Sequence, residues 1–133
     1  MMTPHGVSVR QSAHDYATTV TAARNVLNAL GQTVFAEIDQ AAAAHSVGLA
    51  LRPTMLFVFG NPQAGTGLMV ADPLVALELP MKLLVWQGDD GSTQVAYRSV
   101  TSLIDAYGIT GIDDHAQQID RALAAIVTNI VTY

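Results

Sequence analysis

The alternation of hydrophobic and polar residues along the chain predicts five β-strands. Val7 and Val9 alternate with polar neighbours in the first segment, which is the period of two expected of a strand with one buried face. The third segment instead has five apolar residues in succession, from Met55 to Phe59, which indicates a strand covered on both faces. The predicted strands occupy residues 6–11, 33–38, 54–59, 81–87 and 93–98.

Apolar residues spaced by three and four positions predict helices between and after these strands. The first helix is expected to begin with a capping box of Ser12 and Asp15 and to end before Gly31. A later helix is expected to have Asn61 as its N-cap and Pro62 as its first residue. The remaining predicted helices cover residues 40–47, 73–78, 99–107 and a final segment capped by Asp114.

The Gly-Asp-Asp-Gly sequence at residues 88–91 predicts a β-hairpin between the last two strands. A symmetric pairing places Trp86 opposite Thr93 and Leu84 opposite Val95. Both faces of this hairpin are then partly apolar, so each face needs a covering layer.

Helices on one face of the predicted sheet leave its other face uncovered. We expect Phe57 and the residues around Val85 to lie on that uncovered face, which is too hydrophobic to contact water in a monomer. A second copy of the chain is the simplest cover, so the sequence predicts a homodimer.

The composition limits both the architecture and the partners. The chain has 133 residues, which is enough for a single domain, residues 1–133, with its own core. Half of the residues are hydrophobic and 13% are charged, which excludes a disordered chain. The net charge is −5, and the six Lys and Arg residues are scattered. Nucleic acid is therefore not expected as a partner, since binding to phosphates needs several cations on one face.

The sequence indicates a cytoplasmic protein. There is no cysteine, which excludes disulfides, thiolate nucleophiles and sulfur-ligated metals. We expect no signal peptide, because the first residues lack a basic patch followed by an apolar run. We also expect no membrane span, because no segment approaches the roughly 18 apolar residues that a span requires.

The glycine-rich segment from Gly60 to Gly67 is the best candidate for a binding site. Its glycine spacing resembles a phosphate-binding loop, but Thr66 stands where such a loop has lysine. Asn61 and Pro62 open a helix whose free N–H groups could hold an anion or a carboxylate. The alternative is a helix cap followed by glycines that allow close packing on the sheet.

Glu37 is the candidate for acid–base chemistry, because a charge within a strand must be exposed, paired or functional. Arg52 or Lys82 is the expected ion-pair partner if Glu37 points inward, and Glu78 is a possible second carboxylate. A general base here is expected to be buried with a raised pKa. The alternative is a solvated surface carboxylate.

Histidine does not form a metal-binding pattern. The four histidines are scattered, and His115 is the only one that follows acidic neighbours. A metal site needs three or four converging ligands, so we expect neither a metal nor a cofactor.

Asn61-Pro62 after an apolar strand, followed at a distance by Leu79-Pro80, resembles the domain-of-unknown-function family 302. Other matching positions are Arg52-Pro53-Thr54, Ala64-Gly65-Thr66, Met81-Lys82, Val85-Trp86, Asp90-Gly91, Tyr97 and residues 33–39.

The resemblance spans about residues 20–108. It implies an α+β fold: a curved, mainly antiparallel sheet of about five strands with helices on one face, in bacterial or archaeal proteins that are often dimeric. It implies no catalytic residues, because the family has no settled activity. This chain has Ala106-Tyr107-Gly108 where many relatives have Arg-His-Gly.

Three hypotheses for function follow. The first is a homodimeric binding or interaction module for a small apolar or carboxylate-bearing ligand at Asn61, Gly65, Thr66 and Trp86. The second is a small enzyme with Glu37 as general base near the turn at residues 61–66. The third is a structural dimer that stabilises another protein.

Overall fold

The computed structural model describes Thr3 and residues 5–132. Outside the described residues lie Met1, Met2, Pro4 and Tyr133. The first three belong to the segment in which no signal peptide is expected. The strands are β1 (Val7–Gln11), β2 (Thr33–Asp39), β3 (Thr54–Gly60), β4 (Met81–Gln87) and β5 (Thr93–Arg98). The helices are α1 (Tyr16–Ala29), α2 (Gln40–Ser46), α3 (Pro62–Ala71), the 3₁₀ helix η1 (Pro73–Glu78), α4 (Val100–Tyr107) and α5 (Asp113–Thr132).

The five strands form one antiparallel sheet in the order β1-β5-β4-β3-β2. The fold is α+β with helices packed on one face of the sheet, as predicted. Within residues 5–132, no helix is both long enough and apolar enough to cross a membrane.

The core lies between the sheet and the helices. Phe57, Leu83 and Val95 of the sheet are fully buried and share one hydrophobic cluster with Leu27 of α1 and Ile130 of α5. Helices α3 and α4 and the 3₁₀ helix η1 add residues to the same cluster. We call the sheet surface in this cluster the helix face.

The opposite surface, which we call the outer face, carries a continuous apolar row across the sheet. Cross-strand pairing aligns Ile38, Leu56, Leu84, Ala96 and Val9 in that order. None of them belongs to the core cluster or packs against it. Side chains alternate between the two faces of a strand, so this row lies on the sheet surface that the helices do not cover, although Ala96 within it is itself buried.

The prediction that Phe57 and Val85 lie on the uncovered face is wrong. Both are fully buried on the helix face. Their sequence neighbours Leu56 and Leu84 occupy the outer face instead. Because β3 is apolar at both alternating positions, its composition alone does not distinguish the two sets.

The predicted hairpin register is also wrong, by one residue. Gln87 pairs with Thr93, and Leu84 pairs with Ala96. The Gly88 N–H donates to the Ser92 carbonyl, so these two residues close the turn, and each β4 residue pairs with a β5 residue one position later than a symmetric four-residue loop suggests.

Helix α1 begins later than its predicted capping box. Asp15 is its N-cap, and the Asp15 carboxylate accepts a hydrogen bond from the Thr18 N–H at 2.8 Å. Ser12 is buried and shares a hydrogen bond of 2.8 Å with the Thr19 hydroxyl. Ser12 therefore packs the start of α1 against the rest of the fold rather than capping the helix.

Candidate ligand-binding cavity

An open cavity of about 530 Å³ lies where the end of β3 and helix α3 meet helix α5. Its deep wall consists of residues that are buried in the core, namely Phe59, Leu68, Leu123 and Ile126. Another side is lined by Leu79 and Met81, which precede and follow Pro80. The peptide bond between Leu79 and Pro80 is cis. The cavity is therefore a cleft with an apolar inner wall.

No Asp, Glu, Lys or Arg is among the residues that line this cavity. Its polar side chains are the amides of Gln32, Asn61, Gln63 and Gln118, the hydroxyl of Thr66 and the imidazole of His115. Amide and hydroxyl groups can both donate and accept hydrogen bonds. The polar part of the cavity is thus neutral and suited to either role.

His115 joins the two helices that flank the cavity. Its Nε2 atom lies 2.9 Å from the Ala64 carbonyl oxygen of α3. Gly67 makes this approach possible, because a Cβ atom there would lie 3.1 Å from the same Nε2 atom. A glycine in mid-helix usually costs stability, and here it leaves room for the imidazole.

The N-terminus of α3 has no spare N–H donors. Pro62 has no N–H, and the Gln63 N–H donates to the Asn61 side chain at 3.0 Å. The N–H groups of Ala64 and Gly65 both donate to the Asn61 carbonyl, at 2.9 and 3.0 Å. Asn61 and Pro62 are the N-cap and first residue of the helix, as predicted, but the free N–H groups that we expected to hold an anion are already bonded.

The structure brings together three of the four predicted ligand-binding residues. Asn61, Gly65 and Thr66 line the cavity. Trp86 does not, because it follows the fully buried Val85 on β4 and so points to the outer face, where it pairs with Thr54. Both alternating faces of β4 are apolar, so the sequence does not show which face of this strand meets the helices.

Helix α5 supplies the wall that sequence analysis missed. Gln118, Ile119 and Ala122 line the cavity, and none of them was predicted to bind a ligand. Ile119 is only partly buried because it faces the cavity. The small residue Ala122, three positions later on the same helix, was the available signal.

Glu37 lies elsewhere and is engaged in an ion pair. The Arg24 guanidinium donates two hydrogen bonds to its carboxylate, at 2.6 and 2.9 Å. These bonds hold the pKa of Glu37 below its ordinary value, whereas a general base was expected to have a raised pKa. Glu37 does not line the cavity.

The ion-pair partners proposed for Glu37 have other contacts. Arg52 pairs with Asp89, and the Lys82 ammonium donates to the Pro80 carbonyl at 3.3 Å. Glu78 lies 3.5 Å from Arg98, so the two candidate carboxylates are bound to different arginines. The interpretation of Glu37 and Glu78 as an acid–base pair gains no support.

Within the described part of the chain, no group of three or more His, Asp or Glu side chains is arranged to hold a metal ion. Tyr107, which stands where a histidine was expected in relatives, packs against the core and does not line the cavity.

Known proteins resemble this chain in sequence and in fold. The model of the family described as "Domain of unknown function DUF302" matches residues 7–130. A curated relative named "Fluoride-specific ion channel FluC 1", from Brucella suis biovar 1 (strain 1330), is 39% identical over 127 residues, which are 96% of this chain and 48% of the relative. "Fluoride-specific ion channel FluC 2" from Brucella melitensis biotype 1 is also 39% identical, and 45% of its length is matched. The chain thus spans about half the length of the curated relatives it matches.

A solved structure has the same fold. The crystal structure of an uncharacterized conserved DUF302 protein from Bacillus stearothermophilus aligns with a TM-score of 0.86. The alignment covers 94% of this chain and 98% of that one, at 21% sequence identity. At that identity the likeness concerns the fold alone.

Proposed function

This chain belongs to the family described as "Domain of unknown function DUF302", a description that names no activity. From the residues of the chain itself, we propose that it is a homodimeric module. Each copy binds a small, largely apolar molecule in the cavity between α3 and α5. Contact with the apolar wall, rather than an ionic interaction, holds the ligand. Asn61, Gly65 and Thr66 contribute to the site as the sequence predicts, and the wall on α5 completes it.

The cavity is the observation that carries this proposal. The apolar walls of an open cleft contact water, and covering them with an apolar ligand is favourable by roughly 25 cal/mol for each Å² removed from water. A volume of about 530 Å³ falls within the range of roughly 300 to 1,000 Å³ that is typical of small-molecule sites. Apolar walls with a few polar side chains are also typical of such sites.

Binding of Nile red, an uncharged dye that fluoresces in apolar surroundings, tests the proposal. Ala122→Trp places an indole in the cavity and is expected to weaken dye binding about tenfold or more, which corresponds to roughly 1.4 kcal/mol. Ala124→Trp is the matched control, because Ala124 is exposed on the same helix and does not line the cavity. Equal dye affinity in both variants, with both folded by circular dichroism, would count against the cavity as a binding site.

The homodimer is proposed from the outer face of the sheet. Five strands of five to seven residues, about 4.8 Å apart with a rise of roughly 3.3 Å per residue, present a face on the order of 500 Å². Two copies packed face to face would bury on the order of 1,000 Å², which is near the lower limit for a specific interface. Sheets do pack in this way in β-sandwiches, and the apolar row supplies the contact.

The enzyme hypothesis gains no support from the site. Arg24 lowers the pKa of Glu37, and a base with a lowered pKa is a weaker proton acceptor at neutral pH.

A second candidate function comes from the curated relatives. They are named fluoride-specific ion channels, and about half of their length lies outside the match. We infer an accessory domain that works beside, or stabilises, a channel of that kind. Deleting the matched segment from the Brucella suis relative and measuring fluoride flux in liposomes tests this: retained flux assigns transport to the unmatched half, whereas flux lost from a variant that is still folded and inserted would contradict an accessory role.

A further inference from the structure

Among the described residues that line the cavity there is no lysine or arginine to pair with a negative charge on a ligand. The N–H donors at the start of α3 are bonded to Asn61. The imidazole of His115 is engaged as well. Because a carbonyl oxygen only accepts, Nε2 of His115 donates its hydrogen to Ala64.

Nearby cations are also engaged outside the cavity. Arg98 pairs with Glu78, and Arg24 pairs with Glu37. Lys82 donates to the carbonyl of Pro80, and its position in β4 places it on the outer face, since it alternates with the fully buried Leu83. None of these cations lines the cavity.

A carboxylate in this open cleft would lose part of its hydration without gaining an ionic partner, although Gln63, Thr66 and Gln118 are themselves exposed. Transfer of an unpaired ionised group into apolar surroundings is strongly unfavourable. Amides and a hydroxyl can instead replace the water around a neutral polar group, because each of them both donates and accepts. The residues Gln63, Thr66 and Gln118 provide such groups beside an apolar wall.

We propose that the cavity selects an uncharged ligand: an apolar body with a single neutral polar end, such as an amide, a hydroxyl or a carbonyl, in preference to the carboxylate of the same size. This inference rests on the proposed function and narrows the two ligand classes that the sequence left open. The body occupies the wall formed by Leu68, Leu123 and Ile126, and the polar end lies at the amide side chains.

Octanamide and octanoate form a matched pair of probes, because they differ in charge and are similar in shape. Competition with Nile red at neutral pH is expected to give an octanamide affinity at least about tenfold higher than that of octanoate. Ala122→Trp is expected to weaken octanamide binding, and Ala124→Trp is expected to leave it unchanged. Octanoate binding as tightly as octanamide would overturn the inference while leaving the cavity as a binding site. Failure of Nile red and both probes to bind would overturn the proposed function itself.

Gln118→Lys adds a cation to the lining and tests the reason for the selectivity. The variant is expected to raise octanoate affinity several-fold and to leave octanamide affinity within about twofold, since a neutral amide gains little from a charge. Gln118→Met, of similar length and without charge, is the control. An octanoate affinity that does not rise in a folded Gln118→Lys variant would show that the missing cation is not what excludes carboxylates, and would overturn the inference.

Discussion

At the scale of single residues, the ion pair between Arg24 and Glu37 joins helix α1 to strand β2. Both N–H···O contacts have hydrogen-bonding geometry, and a bidentate arginine–carboxylate pair is the strongest form of this interaction. The Arg24 side chain is 42% exposed and the Glu37 side chain 29%, so solvent screens the attraction. The pair therefore fixes an orientation more than it adds stability.

Glu37→Gln is expected to lower the free energy of unfolding at pH 7 by about 0.2 to 1 kcal/mol, the range for exposed ion pairs. The folded-state pKa of Glu37 is lowered. Its contribution is therefore present above the ordinary pKa of a glutamate and is lost as pH falls through the lowered folded value. Urea unfolding of wild type and variant at pH 7 and at pH 3 measures this. A difference that persists undiminished in acid would contradict the assignment, and the Arg24→Gln, Glu37→Gln double variant gives the coupling energy.

At the scale of elements, a side chain from α5 caps helix α4. The Asp120 carboxylate accepts the Val100 N–H at 2.6 Å and the Thr101 N–H at 3.1 Å, and it also accepts the Thr101 hydroxyl. Ser99 is the local N-cap of the same helix. Sequence patterns identify Ser99, but they do not reveal Asp120, because it lies a helix away in the chain.

Asp120→Ala is expected to destabilise the protein by about 2 to 3 kcal/mol, because hydrogen bonds to a charged group are strong and the N–H groups of α4 lose their partner. Thermal or urea unfolding measures the loss, and amide exchange at Val100 and Thr101 is expected to quicken. Asp114→Ala is the control, because Asp114 lies in the first turn of α5, the helix that also carries Asp120. A loss no larger than that of the control would show that Asp120 is not the cap of α4.

Substitution by alanine is expected to affect stability differently at two glycines of α3. A Cβ atom at Gly65 would meet only Leu79, at 3.9 Å, whereas a Cβ atom at Gly67 would lie 3.1 Å from His115. Gly65→Ala is expected to stabilise the protein by roughly 0.5 to 1 kcal/mol through helix propensity. Gly67→Ala is expected to gain less or to destabilise.

Unfolding midpoints of the two glycine variants, compared in wild-type and His115→Ala backgrounds, test this explanation. Removing the imidazole is expected to bring Gly67→Ala close to Gly65→Ala. If the two variants still differ in the His115→Ala background, the contact with His115 is not the cause.

What the sequence could predict depended on how local each signal is. The bounds of β4 and β5 and the cap at Asn61 are confirmed, because strand alternation and capping residues act within a few positions. The face of Trp86 was missed because both alternating faces of β3 and β4 are apolar, so the sequence does not show which of them the helices cover. The partner of Glu37 and the α5 wall of the cavity were missed because they depend on how distant helices pack on the sheet.

At the scale of the whole molecule, the two faces of the sheet differ in what covers them. The helix face holds a continuous core, whereas the outer face presents the row from Ile38 to Val9 without a helical layer. Leu74 and Leu77 of the 3₁₀ helix η1 are more exposed, at 63% and 76%, but they lie on one short helix and are not part of a registered row. A row that crosses every strand is the better surface for a second copy.

Leu84→Asp is expected to convert the proposed dimer into a monomer, because Leu84 is central in the row, between Leu56 and Ala96. An interface near the lower size limit has a small free energy of association. An aspartate on each copy adds a desolvation cost and repulsion between like charges. Sedimentation equilibrium at micromolar concentration measures the change, with Leu77→Asp as the control for an added surface charge and circular dichroism as the check of folding. A wild-type protein that sediments as a monomer would contradict the dimer outright, and a folded Leu84→Asp variant that remains dimeric would place the interface elsewhere than on the outer face.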